Sequence, residues 1–431
     1  MSRQIMSKND KAWEFLFNKH QILDSINLTG QFIITADQIK DTSREPRLMA
    51  KADTSESLPT IFKENDLGIL PISRNSYIIS SLNAYQDIEP LSGPITHVVL
   101  PDFIQSLQPN NINSESIALN TALATKILSD FLDEENLFAT VSGRMSSGKF
   151  NFKIQDKVTK QYHKIEVENS QIEIDMALEG AKSLSLIEAK LLTFSNFLIR
   201  QVYYPFRTWK NKLDKCIRNV FFVYSNGIFS LYEYEFDDLY NYNSLYLVRG
   251  ARYSIEDTRI TCSDVDKIIA SIVYVPEPSI PFPQADKFDR VVDLCFILLQ
   301  HELDLEEIAD EYGFDIRQAN YYSSAAMYLG LVEKTNNAGS TQFRLTSSGS
   351  KIFNLDYKKR QLSLIKLILQ HKVFHDVYKL TLLKNSLISI NEIVEVMKSN
   401  NLYNMESDET YRRRAQTIRS WIGWVLGKIE S

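Results

Sequence analysis

Cysteine is scarce in this chain of 431 residues, and the three present, Cys216, Cys262 and Cys295, lie far apart. An odd, scattered set makes no disulfide framework, and with no CxxC pair there is no zinc knuckle. Of the six histidines only His371 and His375 lie within one helical turn of each other, and no HExxH occurs. Neither GxxxxGK[ST] nor GxGxxG occurs, so a nucleotide cofactor is not indicated. No apolar run approaches the roughly 18 residues that cross a bilayer, and the opening MSRQIMSKND lacks a signal-peptide core. A reduced, cytoplasmic protein is expected. Repeats at solenoid spacing and low-complexity tracts are also missing.

What the chain does have is ordinary globular composition, 44% hydrophobic and 24% charged, which excludes a disordered protein. Its length suggests roughly three domains. The net charge of −6 argues against a histone-like protein, although a local basic face can still bind phosphates. Proline marks the seams. The loops PLSGPITHVVLPDF and QPNNINSES close a first segment, 1–105, expected as a small α+β domain for DNA recognition or dimer contact, with Arg47, Lys51 and Arg74 as its basic side chains. A second segment, 106–280, ends in VPEPSIPFPQ, whose prolines remove backbone donors and disfavour helix. Beyond it, 286–355 and 356–431 read as mainly helical.

In the middle segment, Ser114 is placed to cap a helix carrying Ile117, Leu119, Leu123, Ile127, Leu128, Phe131 and Leu132. Strand-like runs follow: LFATVSG, FNFKI, HKIEVE, QIEIDMAL and LSLIEAK. A helix is expected over about 195–217, then VFFVYS and FSLYEYEF joined by a Ser225-Asn226-Gly227 hairpin turn. A mixed sheet flanked by helices is the expected α/β core.

The most chemical passage is QIEIDMALEGAKSLSLIEAK (171–190). A hairpin with a five-residue loop, 179–183, pairs 178 with 184 and sets Asp175 opposite Ile187, next to Glu188. Period-2 geometry puts Glu188 and Lys190 on one face and Ala189 on the other. Two hard carboxylates can hold Mg²⁺ while it keeps waters and takes a phosphate oxygen, and a neighbouring lysine can orient the attacking water. The following FLIRQVYYPFRTWKNK is basic and aromatic together, and 182–218 carries eight Lys and Arg against Glu188 and Asp214 alone. Such an excess suits a phosphate backbone, with Arg200, Gln201 and Arg207 as candidate contacts. Upstream, SGRMSSGKF (142–150) reads as a loop between strands, in which Arg144, Ser146 and Ser147 can donate to phosphate or base edges.

With Asp175, Glu188 and Lys190 on consecutive strands and Gln201 on the next helix, this segment resembles the PD-(D/E)XK nuclease superfamily, in particular type II restriction endonucleases. The resemblance implies a restriction-endonuclease-like core and a Mg²⁺-dependent phosphodiesterase. Asp175 and Glu188 would hold the metal, Lys190 would support the water, and an acidic residue on the preceding helix would complete the site. Glu115 matches that last position best, ahead of Glu134 and Glu135. The residue before Asp175 is Ile174 rather than proline, and Gln201 with Tyr204 only approximates a QxxxY pattern.

The C-terminal half points the same way. Helices over 289–300, 304–311 and 315–329, then Leu331-Val332-Glu333, Asn336-Asn337 and Phe343-Arg344-Leu345-Thr346, resemble a winged helix. Its recognition helix would present Arg317, Gln318, Asn320 and Tyr321. A second basic run, 351–384, has eight Lys and Arg against Asp356 and Asp376, and the last helix carries Arg412, Arg413 and Arg414 ahead of Trp421 and Trp424, which read as core anchors of a second winged-helix-like unit. The expected partner is double-stranded DNA, bound by a homodimer if the target is palindromic. A cognate DNA methyltransferase would be encoded nearby. The alternatives are a catalytically inactive winged-helix DNA-binding regulator and a repair or modification-dependent nuclease.

Overall fold

The computed structural model describes residues 7–109, 111–337, 340–400 and 402–430. The first six residues of the opening, and Asn110 of the connecting loop, lie outside the described residues. Contacts divide the chain into two units: 1–224 with 228–253, and 225–227 with 254–431. The division falls ahead of the proline run 275–284, which carries no helix or strand and whose Phe282 is buried among Tyr328 and Phe374.

Among the described residues the first unit includes two hydrophobic clusters. The N-terminal one is built on helix Lys8–Lys19, begun by a capping box between Ser7 and Asp10. A three-stranded sheet accompanies it, with Ser76–Ser80 between Gln31–Thr35 and Gly68–Pro71. Trp13, Phe17 and Phe62 meet edge to face at its centre, and the Trp13 indole donates to Met49 O at 3.0 Å.

The second core lies under a seven-stranded mixed sheet. Its strand order is Ile95–His97, Leu245–Ser254, Ile228–Phe236, Cys216–Ser225, Ser183–Lys190, Gln171–Glu179, Phe138–Ser146. Ser183–Lys190 pairs parallel with Cys216–Ser225 and antiparallel with Gln171–Glu179. A parallel pair needs a crossover, supplied here by helix Arg200–Lys210. The central strand is buried at every position from Ser183 to Ile187, because helices Glu115–Ala124 and Arg200–Lys210 both pack on it.

The expected strands are present, with four differences of detail. The 171–190 hairpin has a three-residue loop, 180–182, and pairs Leu178 with Ser185, one residue from the expected register. Glu134 accepts from the Lys182 N–H at 3.0 Å and the Ser183 hydroxyl at 3.1 Å, which ties this shorter loop down. The helix read from Ser114 to Leu132 breaks at Lys126, which is left-handed (φ 61°), while Thr125 donates back to Thr121 O. The helix expected over 195–217 is only Arg200–Lys210, since Asn196–Leu198 is a strand paired with Tyr85–Asp87. SGRMSSGKF is not a loop throughout: Arg144 and Ser146 lie in the edge strand, and only Ser147-Gly148 connects to the next hairpin.

The second unit is helical apart from one hairpin. Helices Phe288–Leu298, Leu305–Tyr312 and Ile316–Tyr328 precede antiparallel strands Val332–Asn337 and Ser340–Leu345, with a bridge from Leu303 to Phe343. Asp304 and Glu307 form a capping box, and Asp315 caps the third helix. Among the described residues five helices follow, from Ser347–Phe353 to Asp408–Gly427, and Trp421, fully buried, donates to Ala285 O at 2.7 Å. Among the described residues no helix is long and apolar enough to cross a membrane.

Glu233, on the Ile228–Phe236 strand, is buried between two guanidiniums, at 2.5 Å from Arg218 and 2.7 Å from Arg249. Removing one partner of a buried ion pair leaves the others uncompensated. Glu233→Ala is expected to cost roughly 3–5 kcal/mol in chemical denaturation, against a small loss for Glu179→Ala at the half-exposed Lys215 pair.

Candidate functional site

The site forms where two strands part. Pairing between Gln171–Glu179 and Ser183–Lys190 runs from Glu179–Leu184 to Met176–Ile187. Past that point the Asp175 carboxylate takes the Ala189 N–H at 2.8 Å. Ala189 is buried on one face, while Glu188 and Lys190 share the other and pair at 2.5 Å. Gln201, in the first turn of the crossover helix, donates to the same Glu188 oxygen at 2.6 Å, and its own Oε1 is buried without a hydrogen-bond partner. A small pocket beside the cluster is lined in part by Glu173, Ile174, Leu186, Glu188, Gln201 and Pro205.

The electrostatics follow from burial. Glu188 is pushed up to about 8 by desolvation, which the Lys190 ammonium opposes and Asp175 reinforces. Asp175 is also raised by burial, against the pull of Lys190 and the Ala189 N–H. Desolvation alone would lower Lys190, but the combined pull of Glu188, Asp53, Glu115 and Asp175 raises it. Glu115 opens the helix capped by Ser114. It is raised by burial, with Lys190 and Asp175 its strongest charged neighbours. Asp175, Glu188, Lys190, Glu115 and Gln201 therefore form one electrostatic cluster.

Asp53 was not singled out from the sequence, yet it acts on Glu115, Asp175, Glu188 and Lys190 alike. Its segment is fastened beside the site. The Leu198 N–H donates to Asp53 O at 2.8 Å, Asn196 and Ser55 exchange two hydrogen bonds, and the Tyr85 hydroxyl reaches Ala52 O at 3.0 Å. Nothing in AKADTSES signals this, because the contact is with residues about 140 positions away.

Other expected contacts are distributed differently. Arg207 is 3% exposed, and its guanidinium is spent on Asn151 O, Tyr203 Oη and Leu239 O, so it is not available to a phosphate. Ser147 is buried as well. Arg144 is exposed and bonds Glu173 at 3.2 Å, Ser146 bonds Asn169, and Arg200 donates to Gln171 O at 2.7 Å. The basic excess of 182–218 is thus partly internal, since Arg218 serves Glu233 and Lys215 serves Glu179. Glu134 binds the hairpin loop rather than the cluster. In the second unit Arg317 donates to the Tyr321 hydroxyl at 2.6 Å, Gln318 is half-buried, and Asn320, Arg412 and Arg413 are exposed. Arg360, counted in the second basic run, is buried and bonds Asn226.

Because the folded-state value of Glu188 lies above that of a free glutamate, its contribution to stability is complete at acid pH and is lost as pH rises through about 8. Metal-free protein is expected to lose stability progressively between about pH 4.5 and 8 in urea titrations and to level off above that, and Glu188→Gln is expected to flatten that fall.

Three family models match the chain, each described as a domain of unknown function: DUF6996 over residues 10–79, DUF6997 over 80–254 and DUF7226 over 290–430. The 10–79 match contains Asp53, and the 80–254 match contains Glu115, Asp175, Glu188, Lys190 and Gln201. No curated protein and no solved structure matches.

Proposed function

We propose that this chain is a Mg²⁺-dependent endonuclease that hydrolyses phosphodiester bonds of double-stranded DNA, most simply a sequence-specific restriction enzyme with a PD-(D/E)XK core. The observation that carries the reading is the convergence of Asp175, Glu188 and Lys190 with Glu115 and Gln201 where the strands part. Perturbed carboxylates beside a buried lysine are the signature of a working site more often than of a solvated sheet face.

The donors suit a hard divalent ion. Desolvation holds Asp175 and Glu188 toward their neutral forms, a state that a bound cation reverses. Among the described residues no group of three or more His, Cys, Asp or Glu is arranged to hold a metal. Mg²⁺ is commonly held by one or two carboxylates plus waters and phosphate oxygens, so the pair suffices. Asp175 and Glu188 would hold it. When bound, it would acidify a coordinated water and offset charge on the phosphate.

The remaining work falls to the chain itself. Lys190 would donate to the attacking water and oppose the charge that develops on the phosphate. Gln201 fixes the Glu188 carboxyl, and its free Oε1 would accept from a water in the pocket. Glu115, from the opposite helix, tunes Lys190 and Asp175. In the second unit, the order helix, bridge, two helices and hairpin supports a winged-helix reading, with Arg317, Gln318 and Asn320 at the start of the recognition helix. A homodimer would place one site on each strand of a palindromic target.

Purified protein with supercoiled plasmid and Mg²⁺ is expected to give discrete fragments. Asp175→Ala, Glu188→Ala and Lys190→Ala should each slow cleavage by about 10²-fold or more, with the fold intact by circular dichroism. Sequence-specific binding without any cleavage would favour the regulator instead, and cleavage unchanged in all three variants would remove the site from this cluster.

A further inference from the structure

The face of the Gln171–Glu179 strand that bears Asp175 also bears Glu173, two residues and about 7 Å away along the strand. Glu173 is gripped from two sides. Arg144, directly opposite on the edge strand, bonds one oxygen at 3.2 Å, and Arg47, from the N-terminal segment, bonds the other at 2.5 Å. All three side chains are substantially exposed, at 55%, 60% and 42% for Arg47, Arg144 and Glu173. Arg200 is close as well: it bonds Gln171 O on the same strand, and both it and Arg47 act on Tyr77. Two guanidiniums on one carboxylate leave a net positive charge beside the acidic cluster. Exposed pairs of this kind add little to stability, so tethering alone is a weak reason for the arrangement.

We infer that Arg47 and Arg144 form a clamp for a backbone phosphate of the nucleic acid neighbouring the scissile one, and that Glu173 is the internal stand-in which a phosphate displaces. This deepens the nuclease reading and rests on it. Guanidinium presents a planar fork that suits carboxylate and phosphate oxygens alike. The geometry gives the N-terminal segment a direct part in substrate binding: it contributes Arg47 to the clamp, as it contributes Asp53 to the site. Exchange of Glu173 for phosphate leaves both arginines paired, and it frees Glu173 to turn to solvent.

The test is fluorescence anisotropy of the full chain with a labelled 24-base-pair duplex in EDTA, titrated between 50 and 200 mM salt, alongside plasmid cleavage by the wild type in Mg²⁺. Arg47→Ala and Arg144→Ala are each expected to weaken binding roughly three- to tenfold and to lower the salt slope by about 1. Glu173→Gln is expected to tighten binding, because it releases the clamp. The controls Lys157→Ala and Asp66→Asn, which break an exposed pair at a hairpin turn, should change neither quantity. If the wild type binds and cuts DNA while Arg47→Ala keeps its affinity and slope, or Glu173→Gln weakens binding, the clamp is wrong and the nuclease stands. If the wild type neither binds nor cuts, both fall together.

Discussion

The ammonium of Lys190 is what allows several carboxylates to share one desolvated corner of the sheet. It stands 2.5 Å from Glu188 and is felt by Asp175, Glu115 and Asp53, which arrive from three different parts of the chain. Burying a charge costs several kcal/mol unless it is paired, and one ammonium is not enough for all of them. Glu188 and Asp175 are left inclined toward their neutral forms. The proposed cation would bind such a cluster with release of protons, beside the point where strand pairing ends at Met176–Ile187. The structural elements around it serve that position: helices on both faces of the central strand, the crossover helix that carries Gln201, and the N-terminal loop fastened to 195–198.

Much of this corner was legible in the sequence because it rests on short-range periodicity. Alternation along Glu188-Ala189-Lys190 is enough to put acid and base on one face, and QIEIDMAL with LSLIEAK reads as a hairpin. The register lies one residue from the expected one, and the loop is held by Glu134, a side chain that sequence spacing cannot bring to residues 182 and 183. Asp53 and Arg47 were not legible as site partners. They lie in irregular or single-turn segments, and their contacts are with residues more than a hundred positions away.

Counting charge along the chain proved a poor guide to charge in space. Arg207 sits in a run of basic residues but belongs to the core, where three oxygens and the Phe150 ring receive it. Arg218 and Arg360 are likewise internal. Arg144, which looked like a loop residue, is the one whose position across from Glu173 gives it an exposed role. The second unit was read more easily, since capping residues such as Asp304 and Asp315 mark helix starts locally. Leu245–Ser254 was missed because its exposed, arginine-bearing middle hides the alternation, and its partner strand carries an irregularity at Glu233/Tyr234.

The most direct test of the account is anomalous diffraction from crystals soaked in Mn²⁺, which replaces Mg²⁺ at oxygen sites and can be located unambiguously. The expected result is a single strong peak within bonding distance of both Asp175 and Glu188, with Lys190 displaced from the Glu188 oxygen it now holds. Peaks elsewhere only, with the Glu188–Lys190 pair undisturbed at saturating metal, would contradict it.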